Sequence, residues 1–223
     1  MCYRQKGLAL KIDTLISTYP RLYHMATDGS WPSIKKYGLQ STRVLLDRYE
    51  IAGSERERLL RQHRPECVPI SHPSHPRAVI RDQKPMSDNA LAKALGKSST
   101  PNDWYEILNN MVFFWLTESR LKTMMSARAY RDIKHDVLTI DSKSLIEAYQ
   151  GDILLSPMNS GNTKPYPHPR TPAIFQKISD FPFAERRKTR PIQNTVVELT
   201  VRESVPDIAD HVLEVRNISV DEL

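Results

Sequence analysis

The sequence predicts an α+β fold, with a mixed, largely antiparallel sheet and flanking helices. Three observations carry this expectation. Runs of β-branched and aromatic residues of strand length recur through the chain. Segments of helical spacing lie between them without strict strand–helix–strand alternation, which disfavours a purely parallel sheet. The chain also spends 16 prolines against 7 glycines, and proline removes a backbone donor and fixes φ, which argues against a helical bundle. A length of 223 residues suits one domain on the usual scale of roughly 100–200 residues.

The elements follow in order. Leu8, Ile12, Leu15 and Ile16 fall at helical spacing, and Pro20 stops that helix after Tyr19. Arg21 to Thr27 is short and rich in strand formers, and Asp28-Gly29-Ser30 turns the chain. Trp31 to Tyr37 reads as a short helix, with Ser30 as its cap, Pro32 early in it and Gly38 as its stop. Arg43 to Tyr49 forms another helix, and Ser54 caps a charged one from Glu55 to His63. Between Pro65 and Pro85 no helix is sustainable, so the stretch reads as an extended connection holding a brief strand, Ala78 to Asp82. Helical pattern resumes over Ser87 to Leu95 and Asn102 to Leu108.

Val112 to Leu116 is a near-continuous apolar run, expected of a strand buried on both faces, and Asp136 to Asp141 reads the same way. Glu118 to Ala127 and Ser142 to Tyr149 read as helices, and Ile153 to Ser156 as a strand. Pro157 to Pro191 holds seven of the prolines and reads as a long, semi-rigid surface segment. Thr195 to Val201 is the last strongly β-branched run. Val205 to Ala209 turns the chain, and His211 to Val215 closes the sheet. The expectation is a single domain over residues 1–215, with an inserted extended and helical region near 52–110, a proline-rich loop at 157–191 and a flexible tail at 216–223.

Lys and Arg number 32 against 26 Asp and Glu, a formal charge of +6. That balance suits an anionic partner, nucleic acid or a phosphate-bearing cofactor, and it equally suits plain solubility. The two cysteines, Cys2 and Cys67, form no CxxC pair, which excludes a zinc ribbon or a disulfide framework. His72 and His75 have no cysteine or carboxylate cluster at ligand spacing, so no metal is expected. No stretch approaches the roughly 20 apolar residues of a membrane span, and the start leads into no apolar run of signal length. A cytoplasmic protein with no membrane contact is expected. The absence of a Gly-rich phosphate loop, a nucleophile elbow and a dinucleotide fingerprint removes the nucleotide triphosphatase, esterase and Rossmann classes.

Two residues stand out chemically. On the strand Thr-Val-Val-Glu-Leu-Thr-Val, alternation puts Val197, Leu199 and Val201 on one face and Glu198 on the other. A carboxylate among β-branched neighbours costs free energy if buried unpaired, so Glu198 should face solvent, a cleft or a cation. His24 shares its strand face with Leu22 and Ala26. One ring nitrogen could donate to a ligand hydroxyl while backbone holds the other. Each residue could equally be an ordinary strand position.

Tyr23-His24-Met25-Ala26-Thr27, followed by Ser33-Ile34-Lys35-Lys36-Tyr37-Gly38-Leu39, resembles the opening of the ADP-ribosyltransferase fold. It is most similar to the DarT-like nucleic-acid ADP-ribosyltransferases. Val197-Glu198-Leu199-Thr200-Val201, then Val205-Pro206, resembles their ending. Most of Tyr19 to Val215 also resembles an uncharacterised bacterial domain family, through Asn159-Ser160-Gly161-Asn162-Thr163 and Pro206-Asp207-Ile208-Ala209-Asp210-His211. The transferase resemblance implies NAD as co-substrate and a nucleic-acid base as acceptor. It implies Glu198 as the catalytic acid, His24 on the ribose, Thr27 placing the cofactor, Arg43 on the pyrophosphate and Phe114 as the aromatic near the nicotinamide.

Asn159 and Asn162 sit in a polar loop just past a strand end, fit to bind phosphate or a base edge, though ordinary turn chemistry gives the same composition. Arg186 and Arg187 lie in the densest basic run, flanked by Phe181 and Phe183 as in single-strand binders. These four form the expected DNA or RNA contact. The alternative is a non-catalytic nucleic-acid or protein binding module on the same scaffold.

Overall fold

A computed structural model describes residues 9–223. Cys2 and the expected helix start at Leu8 lie outside the described residues. The described residues open with α1 (Ile12–Thr18), β1 (Arg21–Thr27), α2 (Trp31–Tyr37), β2 (Leu39–Gln40), α3 (Thr42–Arg48) and α4 (Gly53–Arg61). The hairpin β3 (Val68–His72) and β4 (His75–Ile80) follows, then α5 (Asp88–Leu95), α6 (Pro101–Leu108), β5 (Met111–Trp115) and α7 (Glu118–Met125). Next come β6 (His135–Asp141), α8 (Ser142–Tyr149), β7 (Ile153–Ser156), β8 (Gln176–Lys177) and α9 (Phe183–Arg187). The last elements are β9 (Glu198–Arg202), β10 (Ser204–Val205), α10 (Ile208–His211) and β11 (Val212–Ile218).

Seven of the strands form one antiparallel sheet in the order β11-β6-β1-β5-β9-β7-β8, flanked by helices, so the α+β class is as the sequence predicts. Side-chain alternation divides the core. On one face Leu22, Phe114, Leu138, Ile140, Leu199 and Val201 are fully buried under Leu15 of α1, Leu145 of α8 and Ile208 of α10. Each such side chain contributes about 1.5–3 kcal/mol. On the other face α7 lays Leu121 and Met125 on Tyr23 and Val137. Further along, α5 and α6 lay Leu91, Leu95 and Trp104 against Met111. A separate cluster, built on Leu46, Leu59, Ile70 and Ile80, joins α3, α4 and the β3–β4 hairpin.

The sheet has a weak seam. β1 pairs with β6 along its whole length, from Arg21↔Asp141 to Thr27↔His135. With β5 it makes one pair, Tyr23↔Trp115. Beyond that pair the two strands part.

Three expectations change. The stretch from Pro65 to Pro85 is a hairpin and not an extended connection. Pro69 and Pro76 sit in a two-stranded sheet, where each strand keeps an open edge that can do without a donor. The proline-rich segment carries short helical turns, α9 and the edge strand β8, which pairs with β7. The tail is not a flexible end over 216–223. β11 continues to Ile218 opposite His135, Ile218 packs in the cluster with Val137, and Ser219 with Glu222 makes a capping box. Arg216 and Asn217 hide this in the sequence by breaking the apolar alternation.

Gly38 explains why the early and late parts of the chain belong together. Its φ is +82°, and a Cβ there would lie 2.5 Å from the Pro206 Cα and 2.7 Å from the Val205 carbonyl. That contact sets Leu39 of β2 opposite Val205 of β10. Gly38→Ala is expected to destabilise the protein by about 3 kcal/mol or more, from backbone strain plus overpacking. Gly29, at φ +72° with nothing within 4 Å, is the control and should lose only about 1–2 kcal/mol on the same substitution. Urea unfolding of both variants checks this, and equal losses would show that the Pro206 contact is not what fixes Gly38.

Candidate functional site

The parting of β1 and β5 leaves strand backbone without its ladder partner, and buried carbonyls need donors. His24 supplies one. Its Nδ1 lies 2.9 Å from the Phe113 carbonyl. A carbonyl only accepts, so Nδ1 carries the proton and Nε2 of the neutral ring is an acceptor. Burial pushes the imidazole down to about 4, partly offset by the Phe113 hydrogen bond and reinforced by the charge of Arg81. The free nitrogen is therefore an acceptor, where the sequence suggested that it would donate to a ligand hydroxyl.

Glu198 begins β9, in a row with Trp115 of β5 and Ser156 of β7. It is 4 % exposed, and its two carboxylate oxygens accept from the Ser160 N–H at 3.2 and 3.1 Å. Burial pushes its pKa up to about 7, opposed by Ser160 and by the charges of Arg170 and Arg120. The Ser160 loop is held from behind. Arg170, itself buried, donates to the Ser160 carbonyl at 2.9 Å and the Asn162 carbonyl at 2.8 Å, and the Trp104 indole N–H donates to Ser160 at 3.3 Å.

Both residues border one cavity of about 680 Å³. Along the strands their side chains leave on opposite sides, because Glu198 is in register with Trp115 and Tyr23 while His24 is one residue further on. They meet the same space because the cavity passes through the opened seam. Its lining takes Met25, Trp115 and Met124 from one side of the sheet and Ala26, Ile34 and Val112 from the other.

Of the other expected residues, Thr27 and Asn159 also line the cavity. Asn159 Oδ1 accepts from the Gly161 N–H at 3.1 Å and so shapes the turn. Phe114 does not reach the space. It is 1 % exposed in the main core, tilted against His24 with ring centroids 5.8 Å apart, while its neighbours Phe113 and Trp115 line the cavity. Arg43 faces away, paired with Glu106 at 2.8 Å beside a second, smaller hollow. Asn162 turns its side chain to the Lys164 N–H and does not line the cavity. The Arg186 guanidinium is consumed by the carbonyls of Thr195, Pro157 and Asn194. Arg187 remains exposed, donating to the Arg190 carbonyl.

The sequence reading missed Ser41, Arg48, Arg77, Arg81 and Asn109, all on the cavity wall, and left Tyr37 without a role. Arg77, Val79 and Arg81 recur with a period of two, a signal readable once β4 is recognised.

Glu198 ties stability to pH. Its carboxyl stays protonated in the folded protein to about pH 7, while the unfolded chain releases that proton near the ordinary 4.5. The unfolded state thus binds fewer protons between those values, and stability falls as pH rises through the window. Glu198→Gln should remove this, so the variant gains on the order of 3 kcal/mol over the parent between pH 4 and pH 8. Denaturant titrations of both proteins at the two pH values measure the change. A difference that does not vary with pH contradicts the raised pKa.

No curated protein and no solved structure matches the chain. The family model DUF7002, a family of unknown function, matches residues 20–212, and the chain belongs to that family.

Proposed function

We propose that the protein is a NAD-dependent ADP-ribosyltransferase acting on a nucleic-acid base. The observation that carries the reading is the meeting of His24 and Glu198 on one cavity at the opened seam. About 680 Å³ is within the roughly 300–1,000 Å³ of cofactor sites, which accommodates a dinucleotide. The wall mixes apolar residues with a few polar ones, among them His24, Thr27, Asn159 and Glu198.

Each residue has a task its surroundings support. His24 Nε2, an acceptor, takes a ribose hydroxyl proton as a hydrogen bond. Cleavage of the nicotinamide–ribose bond frees neutral nicotinamide and leaves positive charge on the ribose carbon. A carboxylate beside that carbon stabilises the charge. Glu198 also accepts the proton of the attacking base, and a pKa near 7 suits a general base working at neutral pH. The Ser160 N–H and Arg170 keep the carboxylate in place during the transfer. Exposed Tyr166, Arg187, Lys188 and Arg190 in the proline-rich segment offer an aromatic and positive charge to the acceptor strand.

The test is release of nicotinamide from NAD, and label transfer from NAD to single-stranded DNA or RNA. Glu198→Gln should lower the rate about a hundredfold or more. His24→Ala should act mainly on the KM for NAD. If the parent releases no more nicotinamide than Glu198→Gln, the enzymatic reading is lost. DNA or RNA binding that survives in Glu198→Gln and weakens on neutralising Arg187, Lys188 and Arg190 would then mark a non-catalytic binding module.

A further inference from the structure

We propose that the β3–β4 hairpin supplies a diphosphate-binding subsite, in which Arg77 and Arg81 hold the phosphates of a nucleoside diphosphate ligand. The inference rests on the transferase reading in taking that diphosphate to be the one within NAD. It assigns to the hairpin the task that the resemblance gave to Arg43, which points elsewhere.

The hairpin presents these side chains by alternation. Ile80 of β4 is buried against Leu59 and Ile70, with Ala78 packed beside it, and alternation sends Arg77, Val79 and Arg81, the last just past the strand, to the opposite face; all five residues border the cavity. Their Cα atoms are about 13 Å apart on an extended chain, a separation two long side chains can close on one diphosphate. Among the described residues neither arginine has an ion-pair partner. Among the described residues the buried Arg81 Nη1 has no hydrogen-bond partner. An unpaired buried guanidinium nitrogen is costly, and an incoming oxyanion would satisfy it.

Among the described residues no nearby acid pairs directly with either arginine. The adjacent carboxylate, Asp82, is already engaged by the Tyr130 hydroxyl at 2.6 Å, the Lys84 N–H at 3.1 Å and the Cys67 thiol at 3.3 Å. Asp28 accepts from Asn217 at 2.6 Å, and Glu198 is held by Ser160. The positive side is also fixed in place. The Arg64 guanidinium ties the Arg81 carbonyl at 3.3 Å, and the Arg81 guanidinium stacks on Tyr130 at 5.5 Å. Arg48, stacked on Tyr37 at 4.7 Å and held by Gln40 at 3.0 Å, adds a third cation to the same wall.

Calorimetric titration of the whole chain at one ionic strength, with ADP and with adenosine, tests the subsite. ADP should bind at least about tenfold more tightly than adenosine, since charge-assisted contacts to the phosphates supply the difference. Arg81→Gln and Arg77→Gln should each erase most of that advantage, and Arg81→Lys should keep part of it. Should Arg81→Gln fail to fold, the exposed Arg77 decides. ADP and adenosine binding alike, no ADP binding, or an advantage that survives both glutamine variants overturns the proposal. ADP binding that depends on the arginines without nicotinamide release from NAD keeps the subsite and sinks the transferase. Nicotinamide release with an unchanged KM for NAD in both variants does the reverse.

Discussion

The structure turns on a single backbone pair. Tyr23↔Trp115 is the one register point at which β1 meets β5, and it joins the three strands on one side of the sheet to the four on the other. A continuous ladder there would have no room for a ligand. A complete separation would leave two sheet edges open, and edges left open recruit other strands. One pair closes the sheet, and the strands then diverge to make the cavity. The ladder lost below it must be replaced, and His24 does so through the Phe113 carbonyl. The same bond fixes the tautomer, so the structural repair also determines which ring nitrogen is left as an acceptor.

Much of the remaining order comes from arginines used as collectors of carbonyl groups. Arg64 binds the carbonyls of Leu59 and Arg81 and the amide oxygen of Asn109. Arg170 binds those of His168, Ser160 and Asn162. Arg186 binds those of Pro157, Asn194 and Thr195. Each arginine ties down irregular chain that has few ladder bonds of its own, and proline-rich chain has few donors with which to tie itself. A planar group with five donors suits this task. Several guanidinium groups thus have their donors engaged inside the fold and not free for a partner, although their charge still counts in the formal +6.

The cavity is made of neighbours that are distant in sequence. Gly38 lies against Pro206, and Ser160 reaches Glu198 across the β7–β9 edge. Glu198 and His24 were legible as candidates because each is a polar residue inside an apolar strand, where it costs free energy unless it has a purpose. Phe114 and Arg43 were misplaced for a shared reason. Strand and helix periodicity says which residues share a face, but not which face meets the cavity, and one step along β5 exchanges Phe114 for Phe113 or Trp115. Arg77 and Arg81 went unseen because prolines at 69 and 76 masked a hairpin whose ladder tolerates them.

By itself the sequence determined the α+β class, the order of most strands and helices, and the two polar residues that interrupt buried strands. These follow from local physics: apolar periodicity, β-branching, caps and the backbone limits of proline and glycine. Only the tertiary structure decided that β1 and β5 part after one pair and that His24 and Glu198 border the same space. It alone decided that Arg186 is spent on carbonyls while Arg81 keeps an unpartnered nitrogen. Those outcomes depend on which strands become neighbours and on how the ladder is interrupted, and no window of local sequence carries that information.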